Sequence, residues 1–173
     1  MGKPSVLSQL GSILVLPFNV IITIPIILIL LESKTVFSFD SLSVLHALAF
    51  FPAVIFIIIG FILLVHTVRL FINVGEGTLA PWDPTEKLVV EGPYKYVRNP
   101  MISGAVLILI GEALVFWSVY ILVWLVLFVL INTVYFIFVE EPGLVKRFGN
   151  DYKTYKNNVP RWIPRLQPWK NEN

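Results

Sequence analysis

The sequence predicts an all-α integral membrane protein with four transmembrane helices, the last two forming a helical hairpin, in a single domain that takes in residues 1–173. Three observations carry that expectation. Of the 173 residues 57% are hydrophobic and only 14% charged, so a soluble domain of this size would be left with apolar surface that polar groups could not cover. Apolar runs of membrane-spanning length recur along the chain. The polar residues between them collect in two segments, 75–100 and 140–173, instead of spreading evenly.

Residues 10–31 carry no charge, and at about 1.5 Å per residue they cover roughly 30 Å, one hydrocarbon thickness. They form the first predicted span. Lys3 ahead of an apolar stretch is also how a signal peptide begins, but the run is long and no small-x-small cleavage site follows Leu31, so the segment is expected to be retained. Pro17 and Pro25 predict kinks, because neighbouring helices can satisfy the carbonyls that prolines free. The second span covers residues 47–74, with His66 and Arg69 on one helical face near its end. Residues 75–100 then hold seven charged side chains among repeated glycines and prolines, the composition of a structured polar segment outside the bilayer core. Between Met101 and Val139 the only charge is Glu112, and a stretch too long for one span predicts two, 101–117 and 120–139, joined near Trp117 to Tyr120. From Glu140 onward Trp162 and Trp169 alternate with prolines and basic residues, as expected of a tail lying along the membrane surface.

Lysine and arginine are distributed unevenly about these spans. Lys3, Arg69, Lys87, Lys95, Arg98 and seven tail residues fall on one side, twelve in all, against Lys34 alone on the other. The positive-inside rule therefore places both termini and both polar segments in the cytosol, in a multi-pass protein. The net charge of +2 is too small to imply a nucleic-acid partner. With no cysteine, disulfides, thiolate metal clusters and a thiol nucleophile are excluded. His46 and His66 lack the spacing of a metal pair, and no carboxylate lies one helical turn from either, so no metal site is expected.

Residues 75–100 and 140–165 are expected to meet on one membrane face, brought together by the second hairpin. Gly75 and Gly77, directly after a span, either permit close backbone approach to a ligand or simply end the helix. Asn99 and Pro100 fit the cap and first position of the third span. With Arg98, that helix start would suit an anionic group such as a carboxylate, or it is an ordinary helix start with snorkelling aromatics. Glu140 and Glu141 close the fourth span, where two acids oppose the negative end of the helix dipole; they mark either a function or the interface. Glu112 lies at a depth where an acid needs a partner or a proton, and it is either an interhelical hydrogen bond or a catalytic group. Tyr152 and Tyr155 either pack a surface helix or wall a pocket.

In order, these pieces resemble the isoprenylcysteine carboxyl methyltransferase family and the related phospholipid methyltransferases, both integral membrane enzymes. The likeness covers roughly residues 75–164. It is carried by Gly92-Pro93-Tyr94-Lys95-Tyr96-Val97-Arg98-Asn99-Pro100-Met101, the helical hairpin, Glu140-Glu141-Pro142-Gly143-Leu144, Phe148-Gly149, Tyr152, Tyr155 and Val159-Pro160-Arg161. The resemblance implies a cytosolic-side cofactor pocket, with cofactor motifs over residues 75–104 and 140–165, and S-adenosyl-L-methionine-dependent methyl transfer to a membrane-resident lipid amine or carboxylate. Carried over position by position, it puts Glu86, Lys87, Leu88 and Val89 along the cofactor, with Tyr94, Asn99, Pro100, Met101 and Ile102 around it and Glu140 as the cofactor-binding acid. The phospholipid methyltransferase motifs Gly-x-Gly and Glu-Glu match Gly75 with Gly77 and Glu140 with Glu141. An acid can then hold the cofactor's ammonium while a helix start and Arg98 hold its carboxylate.

Three positions depart from the isoprenylcysteine enzymes. Asn99 and Ile102 stand where those enzymes have histidine and tyrosine, so an amide replaces ring contacts. Phe136 stands where they place a substrate-binding arginine, which removes the partner of a carboxylate acceptor; Arg69 or Arg161 could substitute, but the simpler inference is that prenylcysteine is not the physiological acceptor. An amine acceptor would have to lose a proton, and Glu141 or Glu112 could take it. The alternative readings are a membrane lipid or sterol reductase using NADPH, which would want more clustered arginines than Arg98 with Lys87 and Lys95, and a non-catalytic membrane scaffold.

Overall fold

A computed structural model describes residues 14–32, 44–75 and 86–170. The ordered elements among them are all helical. A π-helical stretch, Leu14–Thr23, runs into α1, Ile24–Leu31; α2 is Val44–Asn73, a 3-10 turn spans Gly92–Lys95, α3 is Pro100–Phe116 and α4 is Val119–Tyr135. A second π-helical turn, Phe136–Glu140, joins α4 to α5, Glu141–Asn158. Gly77 lies outside the described residues.

Pro17 sits inside the first π stretch and Pro25 in the first turn of α1. A proline supplies no N–H to the helical ladder, and a widened turn is one way a helix absorbs the loss. Pro17 thus lies within an irregular stretch, whereas Pro25 takes a first-turn position where its missing N–H is tolerated. Pro52, by contrast, is accommodated inside α2 without ending it.

The predicted hairpin forms where the sequence puts it. Trp117 adopts a left-handed conformation (φ 48°, ψ 34°) between α3 and α4, and Ser118 caps α4 by accepting a hydrogen bond from Ile121 N at 3.2 Å. The carboxylate of Glu32, at the end of α1, reaches the same turn. It accepts from the Ser118 hydroxyl and from Val119 N at 3.2 Å, a favourable place for an anion at a helix start. The end of α1 is thereby tied to the tip of the hairpin.

Two helical runs, His46–Asn73 and Val119–Asn158, are long and apolar enough to cross a membrane, and Pro17–Leu31 and Pro100–Phe116 are shorter apolar helices. Only 17% of the apolar window of each long run is buried within the molecule. A core helix of a soluble protein would hide most of it; here Phe51, Phe61, Leu130 and Phe138 project outward. Lipid is the solvent that makes such a surface favourable.

Small residues set the closest approach, which lies between α2 and α3. A Cβ on Gly60 would stand 2.6 Å from Gly104 O, and one on Gly104 would stand 2.9 Å from Gly60 O. Seven residues along each helix, a Cβ on Gly111 would meet Ala53 O at 2.6 Å. Backbone-to-backbone contact of this kind is how apolar helices associate where lipid offers no hydrophobic drive. Leu109 and Ile121, both fully buried, centre the bundle core with Ile108, Leu125 and Phe128.

One boundary differs from the sequence reading. Glu140 and Glu141 do not close the fourth helix; the chain stays helical through Asn158, bent at Gly149 (φ 57°, ψ −127°). Pro142 in the first turn of α5 cannot donate to the ladder, and the π turn ahead of it takes up the change. The acids therefore do not face the carbonyls of a helix end.

Candidate functional site

The two polar segments meet, and much of the contact is made by main chain. Arg98 N donates to Pro160 O at 2.9 Å, Arg165 N to Tyr96 O at 3.0 Å and Trp169 N to Lys95 O at 2.9 Å. The buried Tyr155 hydroxyl donates to Tyr94 O at 2.8 Å. The tail is thus laced against the stretch leading into α3. That stretch turns at Gly92 (φ 53°), where a Cβ would come within 2.9 Å of His66 Nε2, so glycine is needed for both conformation and space. Tyr94 and Val97 anchor it inward, with the Tyr94 ring 5.7 Å from that of Phe71.

Glu141, 4% exposed, is the electrostatic centre. Its Oε1 accepts from Arg98 Nη1 at 2.9 Å and from Arg161 Nε at 2.9 Å and Nη2 at 2.7 Å. Lys156 Nζ lies 2.6 Å from Oε2. Burial works to raise its pKa, but hydrogen bonds from Lys156 and Arg161 and the charges of Arg98 and Arg161 outweigh that and hold the carboxyl below its usual range. Arg98 also acts on Tyr152, whose pKa it pulls down against burial and the charge of Glu141, while its buried Nε has no partner.

Glu140 has a different environment from its neighbour. Successive residues on a helix point about 100° apart, and Glu140 makes no hydrogen bond or ion pair among the described residues. Burial, together with the charge of Glu141, pushes its carboxyl up to about 7 against the opposing pull of Arg98. Burial, then the charge of Tyr155 and last that of Glu140, raise the pKa of Tyr94, so the acid is felt electrostatically at this phenol.

The remaining sequence-predicted residues are distributed as follows. Gly75 is buried, and its carbonyl accepts from Glu86 N at 2.8 Å and Lys87 N at 3.3 Å, which ties the start of the 86–100 stretch to the end of α2. Glu86 and Lys87 are exposed and Val89 is buried, while Leu88 packs against Tyr152, Tyr155 and Val159. Asn99 precedes α3, but its side chain makes no capping hydrogen bond. Its carbonyl instead accepts from both the N and the hydroxyl of Ser103, each at 3.0 Å. Pro100 is fully buried, and Met101 and Ile102 pack on the bundle core. Phe136 is buried, its ring 5.8 Å from that of Trp162. Arg69 is exposed on α2, and Arg161 is committed to Glu141. Glu112, within α3, has a buried Oε2 without a hydrogen-bond partner.

A cavity of about 680 Å³ opens where Tyr155 packs with Trp169, lined by Leu88, Val90, Glu91, Lys95, Tyr155 and Trp169 among others; none of Arg98, Glu140 and Glu141 lines it. Its walls are aliphatic and aromatic, and its rim carries both signs of charge. Sequence reasoning missed Lys156 as a partner of Glu141. The signal available was positional: six basic residues, Lys146, Arg147, Lys153, Lys156, Arg161 and Arg165, follow the acid pair within 24 residues, and Lys156 stands among them.

Curated proteins and solved structures give no match to the chain. The family model described as phospholipid methyltransferase matches residues 48–151, from α2 through the first half of α5, and so takes in Tyr94, Arg98, Glu140 and Glu141. The protein belongs to the phospholipid methyltransferase family, a family of membrane methyltransferases.

Proposed function

We propose that this protein spans the membrane four times with both termini in the cytosol, binds S-adenosyl-L-methionine at the junction of its two polar segments, and methylates an amine-bearing membrane lipid. The observation that carries the reading is the contrasting state of two adjacent acids. Glu141 is neutralised by three cations, whereas Glu140 is half-buried without a cation of its own.

The residues present fit the cofactor. An amino-acid moiety needs an anion for its ammonium and donors for its carboxylate. Glu140 supplies the first, and the unpartnered Arg98 Nε supplies a buried donor for the second. Leu88, Val90 and Trp169 offer apolar and aromatic surface of the kind a flat base uses. When bound, S-adenosyl-L-methionine would supply an electrophilic methyl group, and little acid–base chemistry is then required of the protein.

Glu141 fixes the Arg98 guanidinium, and its low pKa suits it to holding cations more than to taking a proton. The chain's main contribution is orientation, since holding two reactants in line is worth roughly 7–11 kcal/mol in favourable cases. Glu112, although its Oε2 is unpartnered, lies twelve residues along α3 from Pro100, roughly 18 Å from the site, so it is not placed to take a proton from an amine acceptor there.

Calorimetric titration of S-adenosyl-L-methionine into detergent-purified protein tests the reading, with Glu140→Ala as comparison. Saturable binding lost in the variant, followed by transfer of a labelled methyl group to a lipid extract, is the expected result. Well-folded protein that binds NADPH but no S-adenosyl-L-methionine would overturn it in favour of a reductase, and binding of neither would favour a scaffold.

A further inference from the structure

We infer that residues 160–170 form a membrane-surface anchor that immerses Ile163 and Leu166 in lipid carrying anionic headgroups. The tail holds two large apolar side chains in the open: Ile163 is 80% and Leu166 100% exposed. Such exposure would be unremarkable at a loose chain end. Here the backbone on either side is pinned, by Arg98 N to Pro160 O, Arg165 N to Tyr96 O and Trp169 N to Lys95 O. A stretch held by three main-chain bonds cannot fold these side chains away, so their exposure is built in.

Depth follows from the neighbours. Trp162 packs its ring on Phe136, at the end of the apolar part of the long Val119–Asn158 helix, and Arg161 is held by Glu141 five residues farther along. Ile163 is therefore fixed at the level where the apolar helix gives way to charge, the position of the bilayer interface. Tryptophan is enriched at that level because its ring is apolar and its N–H polar.

Charge selects the lipid. Between residues 140 and 170 stand seven lysines and arginines against three acids, Glu140, Glu141 and Asp151. Several of the cations, including Lys146, Lys153 and Lys170, are exposed. A basic surface with apolar side chains beside it binds through apolar insertion and attraction to anionic headgroups together. A partner protein or a second copy would need an apolar counter-surface at the same depth, and the bilayer already provides one.

The absence of cysteine makes the test direct. Ile163→Cys, Leu166→Cys and, as an aqueous reference, Lys153→Cys are labelled with a nitroxide in the full chain. Each is placed in nanodiscs of phosphatidylcholine alone or mixed with phosphatidylglycerol. Labels at 163 and 166 are expected to relax with oxygen and to resist a water-soluble nickel chelate, by several-fold relative to position 153, and to sit deeper in the anionic discs. Nickel accessibility equal to that at 153 would overturn the anchor, as would protection from both reagents, which would indicate cover by protein. Equal immersion in both lipids would overturn the headgroup preference. None of these outcomes depends on cofactor binding.

Discussion

Arg98 and Glu141, 43 residues apart in sequence, share a hydrogen bond of 2.9 Å in which Nη1 donates to Oε1. That bond joins the start of α3 to the start of α5, and Arg161 and Lys156 close on the same carboxylate. Both side chains are nearly inaccessible, at 10% and 5% exposed, so the pair lies away from the water that makes surface ion pairs weak.

Glu141→Gln is expected to destabilise the protein by about 3 kcal/mol, because removing one partner of a buried pair leaves the other charges uncompensated. Glu140→Gln, which breaks no side-chain hydrogen bond among the described residues and removes a charge that burial disfavours, should not lower the unfolding temperature at neutral pH while strongly weakening cofactor binding. Thermal unfolding in detergent, paired with calorimetry on both variants, distinguishes the roles. Equal loss of stability in the two variants would contradict them.

The Glu140 carboxyl, held up to about 7 chiefly by burial, predicts two opposite pH trends. A group that binds an ammonium must be ionised, so affinity for the cofactor should rise with pH through about 7. In Glu140→Gln what binding remains should not follow that curve. Stability runs the other way for this group. The folded state keeps a proton that the unfolded chain has lost, so the Glu140 contribution to stability falls as pH rises from 4.5 to about 7. Glu141, with its pKa depressed, contributes stability at neutral pH that is lost as pH falls below the usual carboxylate range. Unfolding of the parent and both variants across this range separates the two contributions.

Gly60→Ala and Gly111→Ala should each cost about 1–3 kcal/mol, the range for overpacking a close-fitted contact. The added methyl would stand 2.6 Å from Gly104 O in the first and 2.5 Å from Ile57 Cγ1 in the second. Gly143→Ala meets nothing within 4 Å and is the control that should retain full stability. Reversible unfolding in mild detergent measures all three.

Glu32→Ala removes the carboxylate that receives Ser118 Oγ and Val119 N. Losing these hydrogen bonds at a helix start should cost about 1–2 kcal/mol. Hydrogen exchange at the first turn of α4 should increase in the variant, whereas exchange in the Arg98–Glu141 region should not change.

Much of the scaffold was legible because its signals are local. A charge-free run announces an apolar helix, and the turn between α3 and α4 falls at Trp117 and Ser118, inside the junction expected from length alone. The end of the fourth helix was misread at Glu140–Glu141, since two acids and a proline look like a stop; a π turn takes up the proline, and Arg98, Arg161 and, from the continuing helix itself, Lys156 neutralise Glu141. The Asn99 cap is absent too: its carbonyl accepts the first helical bond from Ser103 N, as any residue there would, but its amide makes no bond to the helix start.

The sequence by itself determined an all-helical chain with lipid-length apolar runs and the turn of its hairpin, and it named the motif residues of the proposed site, because apolar length, glycine and proline act within a few residues of where they stand. Only the tertiary structure decided that adjacent Glu140 and Glu141 differ, one left with its charge disfavoured by burial and the other saturated by Arg98, Lys156 and Arg161. The physical reason is that a carboxylate's state depends on which charges and how much water surround it, and here those charges come from segments distant in sequence that the fold brings together.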